Sequence, residues 1–177
     1  MNQELLIEKA KKIRLLVLDV DGVMTDGRIY YGNYGDELKA FDVKDGFGVV
    51  LLKRARIDTA IITAKKSKIV RIRARDMGVA RVFENSSSKL KILNKLARKY
   101  RITLDEVCFI GDDLLDIPVL KNVGLSVTVP QAVEEVKAVS FYVTKANAGR
   151  GAVREICELI LKSQGAWEEI TRKYYNT

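Results

Sequence analysis

The chain has 177 residues, of which 47% are hydrophobic and 31% charged, and its 31 Lys and Arg against 23 Asp and Glu give a formal net charge of +8. That length suits one domain with a substantial core, expected to span residues 1–177, rather than two, and the composition carries no mark of disorder. Histidine is absent, which excludes Ser-His-Asp triads, histidine phosphoenzymes and histidine-ligated zinc and leaves aspartate and lysine to carry any chemistry.

Residues 1–9 place acids where a signal peptide needs basic residues, and no apolar run approaches the ~20 residues of a membrane span. A cytoplasmic protein without a membrane partner is expected. The basic residues are spread over several helical stretches, with no single block and no interleaved aromatics. Solvated helix faces explain them more cheaply than nucleic-acid binding does. Cys108 and Cys157 lie in apolar stretches and read as buried, reduced thiols. Neither has the arginine six positions later that a cysteine-dependent phosphatase requires.

Residues 3–12 form an amphipathic pattern, and 14–18 a first strand. Residues 15–18 (Leu-Leu-Val-Leu) run straight into two carboxylates, Asp19 and Asp21, and then Gly22, the pattern of a buried parallel strand delivering acids beyond its carboxyl end. Residues 28–31 and 37–41 flank a glycine-bearing turn over 32–36, predicting a β-hairpin that stands as a flap beside the acids. A helical pattern follows over 44–56, then a strand over 58–63 ending in the hydroxyl of Thr63. A helix over 67–77 stopped by Gly78, a strand over 80–83 and a helix over 88–100 continue the alternation. Thr103-Leu-Asp-Glu106 has the form of a capping box before a strand over 107–110. Short helices over 117–122 and 130–136, strands over 124–127 and 140–143, a helix over 152–162 and a polar-aromatic tail over 166–177 complete the chain. Strands alternating with helices imply an α/β fold of Rossmann-like type, a parallel sheet with helices on both faces.

Residues just past the strand ends form the expected site. They are Asp19, Asp21, Thr63, Asp112, Asp113 and Asp116, together with Lys89 at a helix start. Clustered carboxylates without histidine suit a hard cation, and Mg2+ in particular. A metal, a free carboxylate, an ammonium and a hydroxyl around one point suit phosphoryl transfer through an aspartyl phosphate. Any one of these residues alone is equally a turn residue, a helix cap or a surface lysine; their joint placement at strand ends and a helix start is what points to a site.

The segments Leu18-Asp-Val-Asp-Gly-Val-Met-Thr-Asp-Gly27, Ile61-Ile-Thr63, Lys89 and Gly111-Asp-Asp-Leu-Leu-Asp-Ile-Pro-Val119 resemble the four motifs of the haloacid dehalogenase superfamily. The hairpin segment Asp26-Gly-Arg-Ile-Tyr30, the segment Lys44-Asp-Gly-Phe-Gly48 and the segment from Gly151 to Leu161 resemble one branch of it, the 3-deoxy-D-manno-octulosonate 8-phosphate phosphatases. The resemblance implies a Mg2+-dependent phosphatase acting on a small phosphorylated sugar acid in lipopolysaccharide precursor synthesis. It implies Asp19 as nucleophile, Asp21 as general acid and then base, Thr63 on the phosphoryl group, and Lys89 offsetting charge. Asp112 would ligate the metal beside Asp19 and the main-chain carbonyl of Asp21, with Asp113 and Asp116 supporting that shell. Another sugar-acid phosphate, such as an acylneuraminate 9-phosphate, or a polynucleotide end, is the alternative substrate.

Three departures from the branch bear on substrate rather than on reaction type. Ala64-Lys65 stands where Gly-Arg is usual, and a guanidinium fork and an ammonium grip anions differently. Asp42 and Lys44 replace His and Arg, and Ala148 replaces a glycine. Lys65 and Arg150 are nevertheless the candidate substrate contacts. Only 44 positions separate Asp19 from Thr63 and 26 separate Thr63 from Lys89, which leaves no room for the cap domain of many relatives. Excluding water then needs another cover. Similar proteins form homotetramers in which hairpin and C-terminal segments close adjacent sites, making Tyr30, Tyr31, Arg150 and the tail candidates for that role.

Overall fold

A computed structural model describes residues 2–175 and folds them into a six-stranded parallel sheet with helices on both faces. The elements in order are α1 (Gln3–Lys11), β1 (Leu15–Leu18), β2 (Tyr30–Tyr31), β3 (Glu37–Leu38), α2 (Val43–Arg54), β4 (Asp58–Ile62), α3 (Lys68–Asp76) and β5 (Arg81–Phe83). They continue with α4 (Lys89–Tyr100), β6 (Val107–Ile110), α5 (Ile117–Leu120), β7 (Leu125–Thr128), α6 (Glu134–Val139), β8 (Tyr142–Val143), α7 (Ala152–Ser163) and α8 (Trp167–Thr171). Strand order in the sheet is β5-β4-β1-β6-β7-β8, and β2 and β3 pair separately as an antiparallel hairpin. The chain winds outward from β1 through β4 and β5, then returns to β6 on the other side of β1. That reversal opens a crevice at the carboxyl ends of β1 and β6.

β1 is apolar throughout because both of its faces are covered. Leu16 and Leu18 join the core shared with Val49 and Leu52 of α2, Val70 of α3 and Ile156 and Ile160 of α7. Leu15 and Val17 join the opposite core with Leu93 and Leu96 of α4, Val119 of α5 and Val136 of α6. Each fully buried side chain of this size contributes about 1.5–3 kcal/mol, and the period of two fixes which residues face which layer. Leu18 pairs with Ile61 on one side and Ile110 on the other. The residues that follow these partners therefore leave the sheet along one edge.

Several elements differ from the sequence reading: the last strand is Tyr142–Val143 rather than 140–143 and α5 ends at Leu120 rather than 122, and three further differences bear on the site and its surroundings. The hairpin strands are shorter than expected: Lys39 carries its side chain inward instead of continuing the ladder, and Phe41 leaves it to lie against the Arg73 guanidinium. α6 begins at Glu134 rather than at 130 because Pro130 to Ala132 form a turn, closed by the Ala132 N–H donating to Val129 O at 3.1 Å. The tail is helical over Trp167–Thr171, with Trp167 packed on the core and beneath Arg154; its last two positions, 176 and 177, lie outside the described residues. Cys108 and Cys157 are buried free thiols, each pushed above the usual thiol range by burial. Among the described residues no helix is long and apolar enough to cross a membrane.

Candidate active site

Asp19 follows β1 directly, and its N–H donates to Ile110 O at 3.0 Å, so the carboxylate is held on the last rung of the ladder. Thr63 follows β4 and is likewise locked, its N–H donating to Phe83 O at 2.9 Å and its Oγ1 accepting from Lys65 N at 3.3 Å. Asp112, Asp113 and Asp116 come from the loop after β6, and Lys89 is the first residue of α4. These residues, with Asp21 and Lys65, line one cavity of about 190 Å³ at the carboxyl edge of the sheet. The structure thus brings together every acid, the hydroxyl and the lysine singled out in the sequence.

Lys89 is only 4% exposed, and a cation at the first helical position is opposed by the helix dipole. Two carboxylates offset both costs: Nζ lies 2.9 Å from Asp19 Oδ1 and 2.6 Å from Asp116 Oδ1. Burial lowers the lysine's affinity for its proton, but those two charges outweigh it and raise the pKa above the ordinary value. The ammonium is therefore fixed as a cation. Asp19 feels the opposite balance, with burial raising its carboxyl to about 6 against the lowering effect of Lys89.

Asp116 is fully buried, and its other oxygen accepts from the N–H groups of Asp112 at 3.0 Å and Asp113 at 3.3 Å. An oxygen of Asp116 falls within 4.8 Å of oxygens from Asp19 and Asp112, yet both of its oxygens are already engaged. It shapes the loop and holds Lys89. Asp113 is exposed and accepts from Leu114 N at 2.7 Å, capping the turn after it.

The group left unsatisfied is Asp112. Its Oδ1 is buried with no hydrogen-bond partner, a costly state for a charged oxygen in a protein interior. Burial, and then the charges of Asp19, Asp116 and Asp113, raise its carboxyl to about 7. Asp19 and Asp112 could hold a divalent cation, which would satisfy the orphaned oxygen and the surplus of negative charge, and the all-oxygen donor set fits Mg2+. Gly22 makes room for this arrangement. Its φ is +84°, and a Cβ there would stand 1.9 Å from Asp112 Oδ2.

Asp21 is held by a residue the sequence reading did not single out. The Lys39 ammonium, from the foot of the hairpin, pairs with Asp21 Oδ1 and also lies 3.4 Å from Glu37 Oε1, and its side chain has no exposure at all. A lysine in the alternating segment 37–41 gives no sign of which way it points, so only the fold shows it. Of the two candidate substrate contacts, Lys65 lines the acidic cavity, whereas Arg150 lines a separate one of about 200 Å³ with Arg28, Gln131 and Asn147. Tyr30 and Tyr31 are exposed on the hairpin.

The departures have local reasons. Asp42 is the N-cap of α2, accepting from Lys44 N at 2.6 Å, and Lys44 is exposed. Ala148 has no positive φ and is buried, its N–H donating to Gln131 Oε1 at 3.1 Å. A side chain is tolerated there. The next residue does require glycine: Gly149 has φ +61°, and a Cβ there would meet the Thr25 main chain at 2.6 Å.

Residues 44–156 match the model of the haloacid dehalogenase-like hydrolases. The chain is 47% identical to the 3-deoxy-D-manno-octulosonate 8-phosphate phosphatase KdsC of Escherichia coli (strain K12) over 163 residues, covering 92% of this chain and 87% of that one. It superposes with a TM-score of 0.95 and 40% identity on the crystal structure of the Moraxella catarrhalis 3-deoxy-D-manno-octulosonate 8-phosphate phosphatase, covering 98% of this chain and 99% of that one. That structure contains a magnesium ion, a phosphate ion and 3-deoxy-D-manno-octulosonate (KDO). A cobalt-bound phosphatase of the same kind from Haemophilus influenzae matches at 32% identity and a TM-score of 0.88, covering 96% and 99%. On its motifs, fold and relatives, the chain belongs to the haloacid dehalogenase-like hydrolases, in the group of the 3-deoxy-D-manno-octulosonate 8-phosphate phosphatases.

Proposed function

We propose that this protein is a Mg2+-dependent phosphatase that hydrolyses 3-deoxy-D-manno-octulosonate 8-phosphate to the free sugar acid and phosphate, a step toward lipopolysaccharide precursors. The observation that carries the reading is the pairing, in one cavity, of Asp19 with Lys89 at 2.9 Å and with the unpartnered buried oxygen of Asp112. The product and both ions named for the Moraxella catarrhalis structure support the substrate and metal assignments.

Bound by Asp19, Asp112 and the main-chain carbonyl of Asp21, Mg2+ would supply the positive charge that lets an anionic carboxylate approach an anionic phosphate. In the proposed reaction an Asp19 oxygen attacks phosphorus and the bond from phosphorus to the sugar oxygen breaks. Asp21 gives that oxygen its proton, then takes one from the water that attacks the aspartyl phosphate and frees Asp19. Thr63, which lines the same cavity, would hold the phosphoryl oxygens, and Lys89 keeps Asp19 in line. Asp116 and Asp113 shape the loop that presents Asp112. Lys65 is the proposed contact to the sugar acid within this cavity, and Arg150, which lines a separate one, is proposed to contact the sugar acid of a neighbouring subunit.

The proposed single hydrolase domain acts in the cytoplasm as a homotetramer. Support for the assembly comes from the hairpin, where Tyr30, Tyr31, Tyr34 and Leu38 are all exposed beside an uncapped cavity. The test is release of inorganic phosphate from the sugar-acid phosphate with Mg2+ and with a chelator. Turnover is expected only with the metal, and equal rates in both would overturn the metal assignment.

A further inference from the structure

The mechanism above gives Asp21 two proton transfers but leaves open what holds its carboxylate still. Asp21 sits on the loop beyond β1, with its side chain a quarter exposed, so strand pairing does not fix it. The Lys39 ammonium grips Asp21 Oδ1, and the lysine side chain is completely enclosed. Burying an ammonium is costly unless carboxylates surround it, so the conformation of Lys39 and that of Asp21 stabilise each other.

The contact is also anchored on the far side. Lys39 Nζ lies 3.4 Å from Glu37 Oε1, which accepts from Ser67 Oγ at 3.4 Å, and Ser67 N–H donates to Glu84 Oε1 at 2.7 Å. Ser67 stands at the N-cap position of α3, at the end of the loop carrying Thr63 and Lys65, with its hydroxyl turned to Glu37. A hairpin of two-residue strands is marginal on its own. Its foot is nonetheless tied to the loops on both sides of the cavity through one buried cation. Lys39 does not line that cavity, and the proposed reacting group it touches directly is Asp21.

We propose that Lys39 is a positioning residue for proton transfer, fixing Asp21 where its carboxyl meets the departing oxygen. This rests on the phosphatase reading but not on the identity of the sugar acid. Proton donation matters in proportion to the basicity of the leaving oxygen. Two aryl phosphates of nearly equal size separate the effects: phenyl phosphate has a basic leaving group that needs the proton, and p-nitrophenyl phosphate has one that leaves without it.

The experiment measures kcat/KM of wild type, Lys39→Met and Lys39→Arg on both esters with saturating Mg2+, with melting temperature as the folding control. Lys39→Met is expected to lose on the order of 10- to 100-fold on phenyl phosphate and less than about threefold on p-nitrophenyl phosphate, within the range of general-acid contributions. Lys39→Arg, which keeps a cation beside Asp21, is expected to recover most of the loss. If Lys39→Met does not fold, Lys39→Gln replaces it with the same expectation. Equal losses on the two esters, or none on either, would overturn the role of Lys39 while leaving the phosphatase reading intact. Failure of wild type to hydrolyse these esters and the sugar-acid phosphate alike would overturn the phosphatase reading itself, and the inference with it.

Discussion

Asp112 and Asp19 hold the two carboxyls whose charge state most depends on what occupies the cavity. Their pKa values stand near 7 and near 6, raised first by burial, with like charges adding to Asp112 and the nearby Lys89 partly offsetting the rise at Asp19. A metal ligand must be deprotonated, so lowering the pH through these values makes protons compete with Mg2+. Affinity for Mg2+, measured by calorimetry, is therefore expected to strengthen from pH 6 to pH 8 with proton release on binding, and a flat profile would contradict the assignment. Gly22→Ala gives a second check, because its Cβ would displace the Asp112 carboxylate and its φ of +84° strains any side chain. It is expected to cost about 1–3 kcal/mol of stability and to abolish Mg2+ binding. Asp19→Asn is expected to stay folded and to lose at least about a thousandfold in turnover, as removal of a nucleophile does; activity within tenfold of wild type would exclude Asp19 as the attacking group.

Among the elements, α2 and α7 show how the sheet's outer layer is fixed to the site. Asp45, in the first turn of α2, accepts from Arg154 N at 2.7 Å and Gly151 N at 3.3 Å, capping α7 from a neighbouring helix. Burial outweighs those donors and raises its carboxyl from 3.8 to about 6. Between those values the folded protein binds a proton that the unfolded chain does not, so this group's contribution to stability falls as pH rises from about 4 to about 6. The melting temperature of Asp45→Asn minus that of wild type is accordingly expected to rise with pH across that window; a constant or falling difference would contradict it. The elements themselves were legible because their apolar periods are strong: β1 has no polar residue, and α4 presents Leu93, Leu96 and Ala97 to one side. Asp19, Thr63, Lys89 and Asp112 were legible because each stands next to such an element. Lys39 was not, since the direction of a side chain at the foot of a two-residue strand is set by Asp21 and Glu37, which are brought to it by the fold. The helical start of α6 was missed for a similar reason, the turn after Pro130 depending on where β7 ends.

For the whole molecule, the cavity lies open beside an exposed hairpin rich in tyrosine, with no cap inserted between β1 and β4 other than that hairpin and α2. A homotetramer covering the site through hairpin contacts is expected from light scattering, and a monomer at assay concentration would favour a larger substrate such as a polynucleotide end. The most direct test of the account compares kcat/KM, with saturating Mg2+ and with chelator, for 3-deoxy-D-manno-octulosonate 8-phosphate, an acylneuraminate 9-phosphate and a phosphorylated oligonucleotide. The expected result is Mg2+-dependent hydrolysis of the first at least about tenfold more efficient than of the others, a margin of about 1.4 kcal/mol in transition-state binding. Equal or greater efficiency on either of the other two, or turnover indifferent to the metal, would contradict it.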